Sequence, residues 1–210
     1  MIENLEIQKL IEDTKLFQNE LFNYINNYEF ETSPKNEMVL NIFDIVFEHS
    51  HAISLLINEG MFVTCMSVFR MQFDALVRQV WFLYVATDSQ IEKLSTPLTN
   101  ENFSALNNLV PSTKEMMDDL EKSAPEDLNA KLKQFKLQST KALGSFVHTG
   151  MHAIEKKKRG FNVNIISSVL KQSNNLLNMA FFGLAFLEND EEFAYIAVNL
   201  HKRFPECFQV

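Results

Sequence analysis

The chain has 210 residues, enough for one well-packed core, and no linker rich in Pro, Gly or Ser divides it. Its 46% hydrophobic residues, 19 Phe, five Gly and five Pro favour a helical protein over a turn-rich β architecture. The net charge of −8 excludes a protein that coats nucleic acid with its whole surface, although a local basic patch is compatible with it. These properties predict one all-α domain over residues 1–210.

The N-terminal segment predicts a helix and not a secretion signal. Apolar residues recur at intervals of three and four from Leu5 to Tyr28, the amphipathic pattern of a helix. Charges begin at the third residue and no apolar signal-peptide core follows, so we expect a cytoplasmic protein. No run of about 18 uninterrupted apolar residues occurs, and we therefore expect no membrane span.

The next two helices are predicted to be the most deeply buried. The first runs from about Lys35 to Asn58, and Gly60 stands where a left-handed C-terminal cap is expected. The second, from Met61 to Ala86, is apolar almost all the way round. Because the connection between them is so short, we predict that the two helices pack antiparallel.

Three charges interrupt this second apolar helix. Arg70, Asp74 and Arg78 are spaced four residues apart and fall on one narrow stripe, with Ser67 and Trp81 at its edges. A charge on a mostly buried helix needs a partner, because an unpaired buried charge is strongly destabilising. We therefore predict that Asp74 lies between the two arginines as a ladder and that this stripe marks a site.

The sequence then changes in character. Residues 88–111 are rich in Asn, Ser, Thr and Pro, and they predict a loop-rich insertion with short helical pieces. Ser112 and Glu115 form a capping-box signature for a short helix that ends near Lys122.

The C-terminal half predicts three further helical stretches. Pro125 opens a helix that we expect to reach about Leu143, where Gly144 breaks it. A turn and a basic run follow. Two more helices are predicted at Phe161–Leu187 and Asp190–Phe204, and we find no convincing strand signal.

Two histidines in the turn region raise the question of a metal site. His148 and His152 are four residues apart, and on a continuous helix they would share a face with Glu155, a spacing that lets imidazoles reach one metal. Gly150 lies between them and weakens such a helix. A hydrogen-bonded or exposed pair is therefore the competing interpretation, and we predict neither a metal nor a cofactor.

The other histidines and the cysteines carry weaker signals. His49 and His51 point to different sides of their helix, so at most one of them can be a buried partner of the arginine stripe. Cys65 and Cys207 form neither a disulfide framework nor a zinc pattern. We interpret them as two reduced structural thiols.

The acidic chain has one concentration of basic residues, formed by Lys156, Lys157, Lys158 and Arg159. Further lysines precede it on the neighbouring predicted helix: Lys131, Lys133, Lys136 and Lys141. Such runs are usually a solvated face, and the helix dipole alone favours lysine near a helix C-terminus. The alternative is a phosphate- or RNA-binding patch. No phosphate loop, serine elbow or Cys–His signature supports covalent catalysis.

Two segments, SVFRMQFDALVRQVWFLYVA and LGSFVHTGMHAI, together resemble uncharacterised bacterial helical proteins related to the HEPN superfamily (higher eukaryotes and prokaryotes nucleotide-binding). The resemblance covers roughly Phe43 to Leu187. It implies an all-α bundle that is commonly dimeric. It also implies kinship with metal-independent ribonucleases of toxin–antitoxin and phage-defence systems, which use an Arg followed four to six residues later by a His.

This sequence departs from that pattern before its histidine. His148 is present, but the nearest basic residue before it is Lys141, with six residues intervening, and a lysine cannot clamp a phosphate bidentately as Arg does. If RNA is cleaved, the resemblance implies that His148 moves protons at a ribose 2′-hydroxyl or a leaving oxygen. Lys141, with Arg70 or Arg78, would then stabilise charge on the phosphorus.

Two interpretations follow from these residues. The first is a HEPN-like homodimer that handles RNA or nucleotide in bacterial stress or defence, with a site formed by Arg70, Asp74, Arg78 and His148. The second is a non-catalytic module for protein–protein interaction, in which the Arg–Asp–Arg stripe is purely structural. Convergence of His148 and Lys141 on the stripe in an open cleft would favour chemistry, and closed, fully paired charges would favour structure.

Overall fold

The computed structural model describes residues 4–137 and 141–209, and within them it contains eleven α-helices and no strand, as the sequence predicts. A single 3₁₀ turn, Pro205–Cys207, follows the last helix. The helices are α1 (Leu5–Asn26), α2 (Pro34–Asn58), α3 (Phe62–Tyr84), α4 (Asp88–Leu94), α5 (Phe103–Asn107), α6 (Thr113–Ser123), α7 (Glu126–Phe135), α8 (Lys141–Val147), α9 (Met151–Arg159), α10 (Val163–Glu188) and α11 (Glu191–Arg203).

Helix α3 is the central element of the bundle. It contacts α2, α6, α8, α9 and α10, and its Phe69, Phe73 and Trp81 are buried. Helices α2 and α3 contact each other at their middles, where Gln72 of α3 donates a hydrogen bond to the Val46 carbonyl of α2 across 3.5 Å. Because only a short connection joins the end of α2 to the start of α3, this contact confirms that the two helices pack antiparallel. Gly60 between them has a φ of +70°, the left-handed cap that the sequence predicts.

A layer of buried polar side chains crosses this apolar core. Gln18 of α1 donates to the Ser50 hydroxyl of α2 across 3.1 Å, and Ser173 of α10 donates to the same hydroxyl across 3.2 Å. Gln72 of α3 donates to the Ser173 carbonyl. All four residues are buried, so each bond that is lost would leave a desolvated polar group. The layer therefore fixes how four helices align.

The predicted insertion at residues 88–111 is confirmed as loops with two short helices, α4 and α5. The capping box of Ser112 and Glu115 is also confirmed, since each residue bonds the other's backbone N–H at the start of α6. A second capping box, between Thr87 and Gln90, starts α4.

The helix predicted from Pro125 to Leu143 is found in two described parts. Helix α7 covers Glu126–Phe135 and two π-helical residues follow it, whereas residues 138–140, which precede α8, lie outside the described residues. The Phe135 ring stacks on Phe73 at 4.4 Å and so anchors the end of α7 on the core. Helix α8 then contains Gly144, so this glycine does not break the chain where we expected. One glycine costs only about 1 kcal/mol in a helix, and the packing of α8 on α3 offsets that cost.

By length and composition, α2 is the one helix in the described ranges that could cross a membrane. Core helices of globular bundles meet the same criterion. In this bundle α2 packs against α3 and α10 and buries Val39, Val46 and Ile53.

Candidate functional site

The charged stripe on α3 forms one ion pair and not a ladder. Arg70 donates a hydrogen bond from Nε to Asp74 Oδ2 across 2.8 Å, and both side chains are partly exposed. Arg78, one turn further on, is exposed and forms no ion pair with any residue that the structure describes. The predicted ladder is thus confirmed for Arg70 and Asp74 and wrong for Arg78. A solvated guanidinium gains little from pairing, since exposed ion pairs contribute only about 0–1 kcal/mol.

Asp74 and Arg78 line a cavity of about 510 Å³ between α2, α3 and the insertion. Its walls are largely apolar, and they include Ile42, Met71, Ala75, Phe82, Leu98 and Phe103. The second carboxylate oxygen of Asp74, Oδ1, is buried and has no hydrogen-bond partner. An unpartnered buried acceptor costs about 1–3 kcal/mol, and more when it is charged.

His49 of α2 lines the same cavity and also has a buried nitrogen, Nδ1, without a partner. Burial lowers the pKa of His49, and the nearby Glu48 opposes that shift only in part. His49 is therefore the neutral form at neutral pH. His51 points elsewhere and lies with Nδ1 3.4 Å from the Gln18 side-chain oxygen. The prediction that these two histidines face different sides of α2 is confirmed.

His148 lies apart from this cavity. It stands exposed in the turn that follows α8, and it lines neither that cavity nor the groove described below. The predicted joint site of Asp74, Arg78 and His148 is therefore not assembled, because the insertion and α2, and not α8, cover the cavity side of α3. Lys141 opens α8, but its side chain lies outside the described part of the structure.

The turn that carries His148 is tightly constrained. Thr149 has a φ of +53°, which is unfavourable for a β-branched residue. The Gly150 N–H donates to the Ser145 carbonyl across 2.6 Å, and a Cβ at Gly150 would lie 2.6 Å from the Ser145 hydroxyl. That hydroxyl accepts the His152 backbone N–H across 3.1 Å. The close contacts require glycine at position 150 and hold His148 at the surface.

The same turn separates the residues of the alternative metal site. His148 follows α8 whereas His152 belongs to α9, so they do not share one helix face. Glu155 instead accepts a hydrogen bond from Arg159 Nε across 2.7 Å. Across residues 4–137 and 141–209, no group of three His, Cys, Asp or Glu side chains is placed to hold a metal ion.

The basic run lies at the C-terminal end of α9, where three of its residues line a groove of about 860 Å³: Lys156, Lys157 and Lys158. The opposite wall is the start of α3 and includes Phe62, whose ring centroid is 5.4 Å from that of Phe161. Lys156 Nζ lies 5.9 Å from the Phe161 ring. Thr149 and Glu59 complete the groove, which thus begins one residue from His148.

Sequence reasoning identified the lysines but missed the aromatic wall. Phe62 and Phe161 are 99 positions apart along the chain and neither carries a charge, so only the fold brings their rings together. The strained Thr149 was also missed, although its place before Gly150 in a turn was a local signal.

Comparison with models of protein families gives a match. Residues 43–210 match the model of a family of unknown function, DUF6988. No curated protein and no solved structure matches the chain. The family description names no activity, so the HEPN resemblance and its ribonuclease chemistry stay proposals. Since the match covers well over half of the residues, the chain belongs to the DUF6988 family.

Proposed function

We propose that this protein binds single-stranded RNA in the groove between α9 and the start of α3. The observation that carries the proposal is the pairing of three lysines with two adjacent aromatic rings, those of Phe62 and Phe161, along one open groove. Proteins that hold single strands combine a positive track for the phosphates with aromatic rings on which bases stack.

Charge supports a nucleic acid at this groove. The chain carries a net charge of −8, yet Lys156, Lys157, Lys158 and Arg159 fall within four consecutive positions at the end of α9. Only Arg159 is held in a described ion pair, with Glu155, and Lys157 and Lys158 are exposed. The negative remainder of the surface repels RNA, so binding is confined to this local patch.

Exposure supports a single strand. Phe62 and Phe161 are each only partly buried, and both line the groove beside the lysines. Bases of a duplex are already stacked on each other, whereas unstacked bases of a single strand are free to stack on aromatic rings.

Cleavage of the bound RNA is the catalytic extension of this proposal, and it follows the HEPN-like interpretation. His148 would be the proton shuttle, because its imidazole is exposed beside Thr149 at the edge of the groove. Lys141 stands at the family's Arg position. Arg70 and Arg78 are left out of the scheme, since Arg78 and the partner of Arg70, Asp74, line the separate cavity between α2, α3 and the insertion.

Binding of a short labelled single-stranded RNA, followed by fluorescence anisotropy, tests the proposal. Phe161→Leu keeps the apolar packing but removes the stacking ring, and we expect it to weaken binding by about 1–3 kcal/mol. Leu98→Ala, at a position remote from the groove, is the control for a change at an exposed apolar residue. Equal affinity of the Phe161→Leu variant and the wild type would overturn the role of the groove.

Cleavage is tested separately with a chelator present, which removes metal-dependent contaminants. If the catalytic extension is correct, wild-type protein cleaves the RNA, and His148→Ala abolishes cleavage while binding is retained. Lys141→Ala should lower the activity, and Lys141→Arg should raise it or leave it unchanged. Binding without any cleavage across a broad set of RNAs would leave an RNA-binding protein and remove the ribonuclease proposal.

The second candidate function is protein–protein interaction, and a different surface favours it. Phe182, Phe186 and Val198 are exposed along a largely apolar groove of about 540 Å³ between α3, α7, α10 and α11. We propose a second copy of the chain as the occupant, in keeping with the predicted homodimer. A molar mass of one chain by light scattering at every concentration would remove this candidate, whereas dissociation of a dimer by Phe186→Ser would support it.

A further inference from the structure

A further cavity, the α10 cavity, adjoins the proposed RNA groove. It lies between α3, α8, α9 and α10 and has a volume of about 400 Å³. Lys156 and Phe161 line both the groove and the α10 cavity. The Phe161 ring centroid is 5.4 Å from that of Phe62, which lines the groove, and 6.1 Å from that of Phe146, which lines the α10 cavity. A strand bound in the groove would therefore pass beside this cavity.

The α10 cavity combines an apolar wall with a few neutral polar side chains. Buried side chains of the wall include Phe69, Phe146 and Val169, and the polar side chains are those of His152, Asn164, Ser168 and Gln172. The apolar wall can pack against the face of a planar heterocycle, while side-chain amides can hydrogen-bond its edge. The volume also falls within the range of about 300–1,000 Å³ that is usual for ligand pockets.

The polar side chains of the α10 cavity can be reached from solvent. His152 and Asn164 are exposed, and Gln172 is partly buried. The side chains of His152 and Asn164 form no hydrogen bond with any residue that the structure describes. Gln172 donates from Nε2 to the Ser168 hydroxyl across 3.0 Å, and no described hydrogen bond engages its side-chain oxygen. These groups are therefore available to a ligand that enters the cavity.

The types of these side chains restrict which base they would select. Asn and Gln pair with adenine through two hydrogen bonds, whereas Arg characteristically selects guanine and Asp or Glu accepts from cytosine. Two amides, Asn164 and Gln172, line the α10 cavity, and among the described residues no Arg, Asp or Glu does. Its one charged residue is Lys156, which it shares with the groove. This set of side chains favours adenine.

We propose that the α10 cavity receives one unstacked adenine of the RNA strand that is bound in the groove. This inference rests on the proposed function and adds a base preference to it. The amides of Asn164 and Gln172 engage the N6 amino group and a ring nitrogen of the base, and the apolar wall packs against its face. Lys156, at the boundary of the two sites, contacts the adjoining phosphate.

Fluorescence anisotropy with labelled RNA octamers tests the proposal. One octamer contains only uridine, and three others carry a single adenine, cytosine or guanine at the fourth position. We expect the adenine octamer to bind at least about fivefold more tightly than each of the others. Equal affinity for all four octamers would overturn the adenine site and leave the RNA groove standing, whereas no binding of any octamer would overturn both.

Variants assign the preference to the α10 cavity. Asn164→Leu and Gln172→Leu should each reduce the preference for the adenine octamer and leave the affinity for the uridine octamer unchanged, because neither residue lines the groove. Asn19→Leu on α1 and Gln134→Leu on α7 replace exposed amides outside the cavity and should keep the preference. Ser168→Leu reduces the free volume of the cavity and should abolish the preference while circular dichroism reports a folded protein. An adenine preference that persists in all three cavity variants would overturn the assignment.

Discussion

Arg70 and Asp74 form an ion pair across one turn of α3, and it occupies only one of the two oxygens of the Asp74 carboxylate. The other oxygen is buried and has no hydrogen-bond partner, and the Asp74 residue lines the cavity between α2 and the insertion. Because Arg78 takes no part in this ion pair, the energetics of the pair can be separated from those of Arg78.

A double-mutant cycle on Arg70→Ala and Asp74→Ala should give a coupling energy of about 0.3–1 kcal/mol. The value is modest because both side chains are partly exposed, at 22% and 32%. The same cycle on Asp74 and Arg78 should give a coupling near zero. Urea unfolding of the single and double variants measures both coupling energies. Equal coupling energies in the two cycles would show that Asp74 interacts with both arginines, as in the predicted ladder.

Much of the fold was predictable, because the spacing of hydrophobic residues and the capping residues of a helix are local features of the sequence. Helix α3 was expected at Met61–Ala86 and is found at Phe62–Tyr84, and α10 was expected at Phe161–Leu187 and is found at Val163–Glu188. The anchoring of α7 was less predictable, because the stacking of Phe135 on Phe73 joins residues that are far apart in the sequence and no local signal encodes that contact.

The candidate site was less predictable, because its residues come from distant parts of the chain. The sequence indicated the Arg70–Asp74 pair, which is local, and the basic run of α9. It could not show that the insertion closes a cavity over Asp74 and Arg78, since loop paths depend on packing. Assigning His148 to the arginine stripe therefore joined two features that the fold keeps apart, since His148 does not line the cavity of Asp74 and Arg78.

His49 should make stability depend on pH in the mildly acidic range. Burial lowers its pKa below the ordinary value near 6.5, so the unfolded chain takes up a proton more readily than the folded one. The free energy of unfolding should therefore fall as pH decreases from about 7.5 to about 5.5. His49→Gln should show a smaller decrease. Chemical denaturation at several pH values measures it, and identical pH profiles of the two proteins would refute this role of His49.

Thr149 should be a site of stored backbone strain. Its φ of +53° is costly for a β-branched residue and easy for glycine. Thr149→Gly should raise the free energy of unfolding by about 1 kcal/mol, after allowance for the larger entropy of glycine in the unfolded chain. Thr113→Gly at the start of α6, where no positive φ is needed, is the control and should not stabilise the protein. A lower free energy of unfolding in the Thr149→Gly variant would contradict the claim that the Thr149 backbone is strained.

Both cysteines should be inert in the folded protein. Burial raises the pKa of the Cys65 thiol to about 12 and that of Cys207 to about 11, so almost no reactive thiolate forms near neutral pH. An aromatic disulfide reagent should label neither thiol in native protein and both after denaturation. Rapid labelling of one thiol in native protein would show that this region of the core opens readily.

The salt dependence of RNA binding tests the central claim most directly, because it counts the phosphates that the groove neutralises. For a single strand, the logarithm of affinity falls against the logarithm of salt concentration with a slope of about −0.7 for each phosphate contact. Joint replacement of Lys156, Lys157 and Lys158 by Gln should therefore reduce the magnitude of this slope by about 2.

The matched control for this measurement replaces Lys131, Lys133 and Lys136 by Gln. It removes the same amount of charge from α7 and its end, away from the groove. We expect this control to keep the wild-type slope, whereas the groove variant loses most of it. An equal change of slope in both variants, or wild-type protein that does not bind RNA even at low salt, would contradict the account.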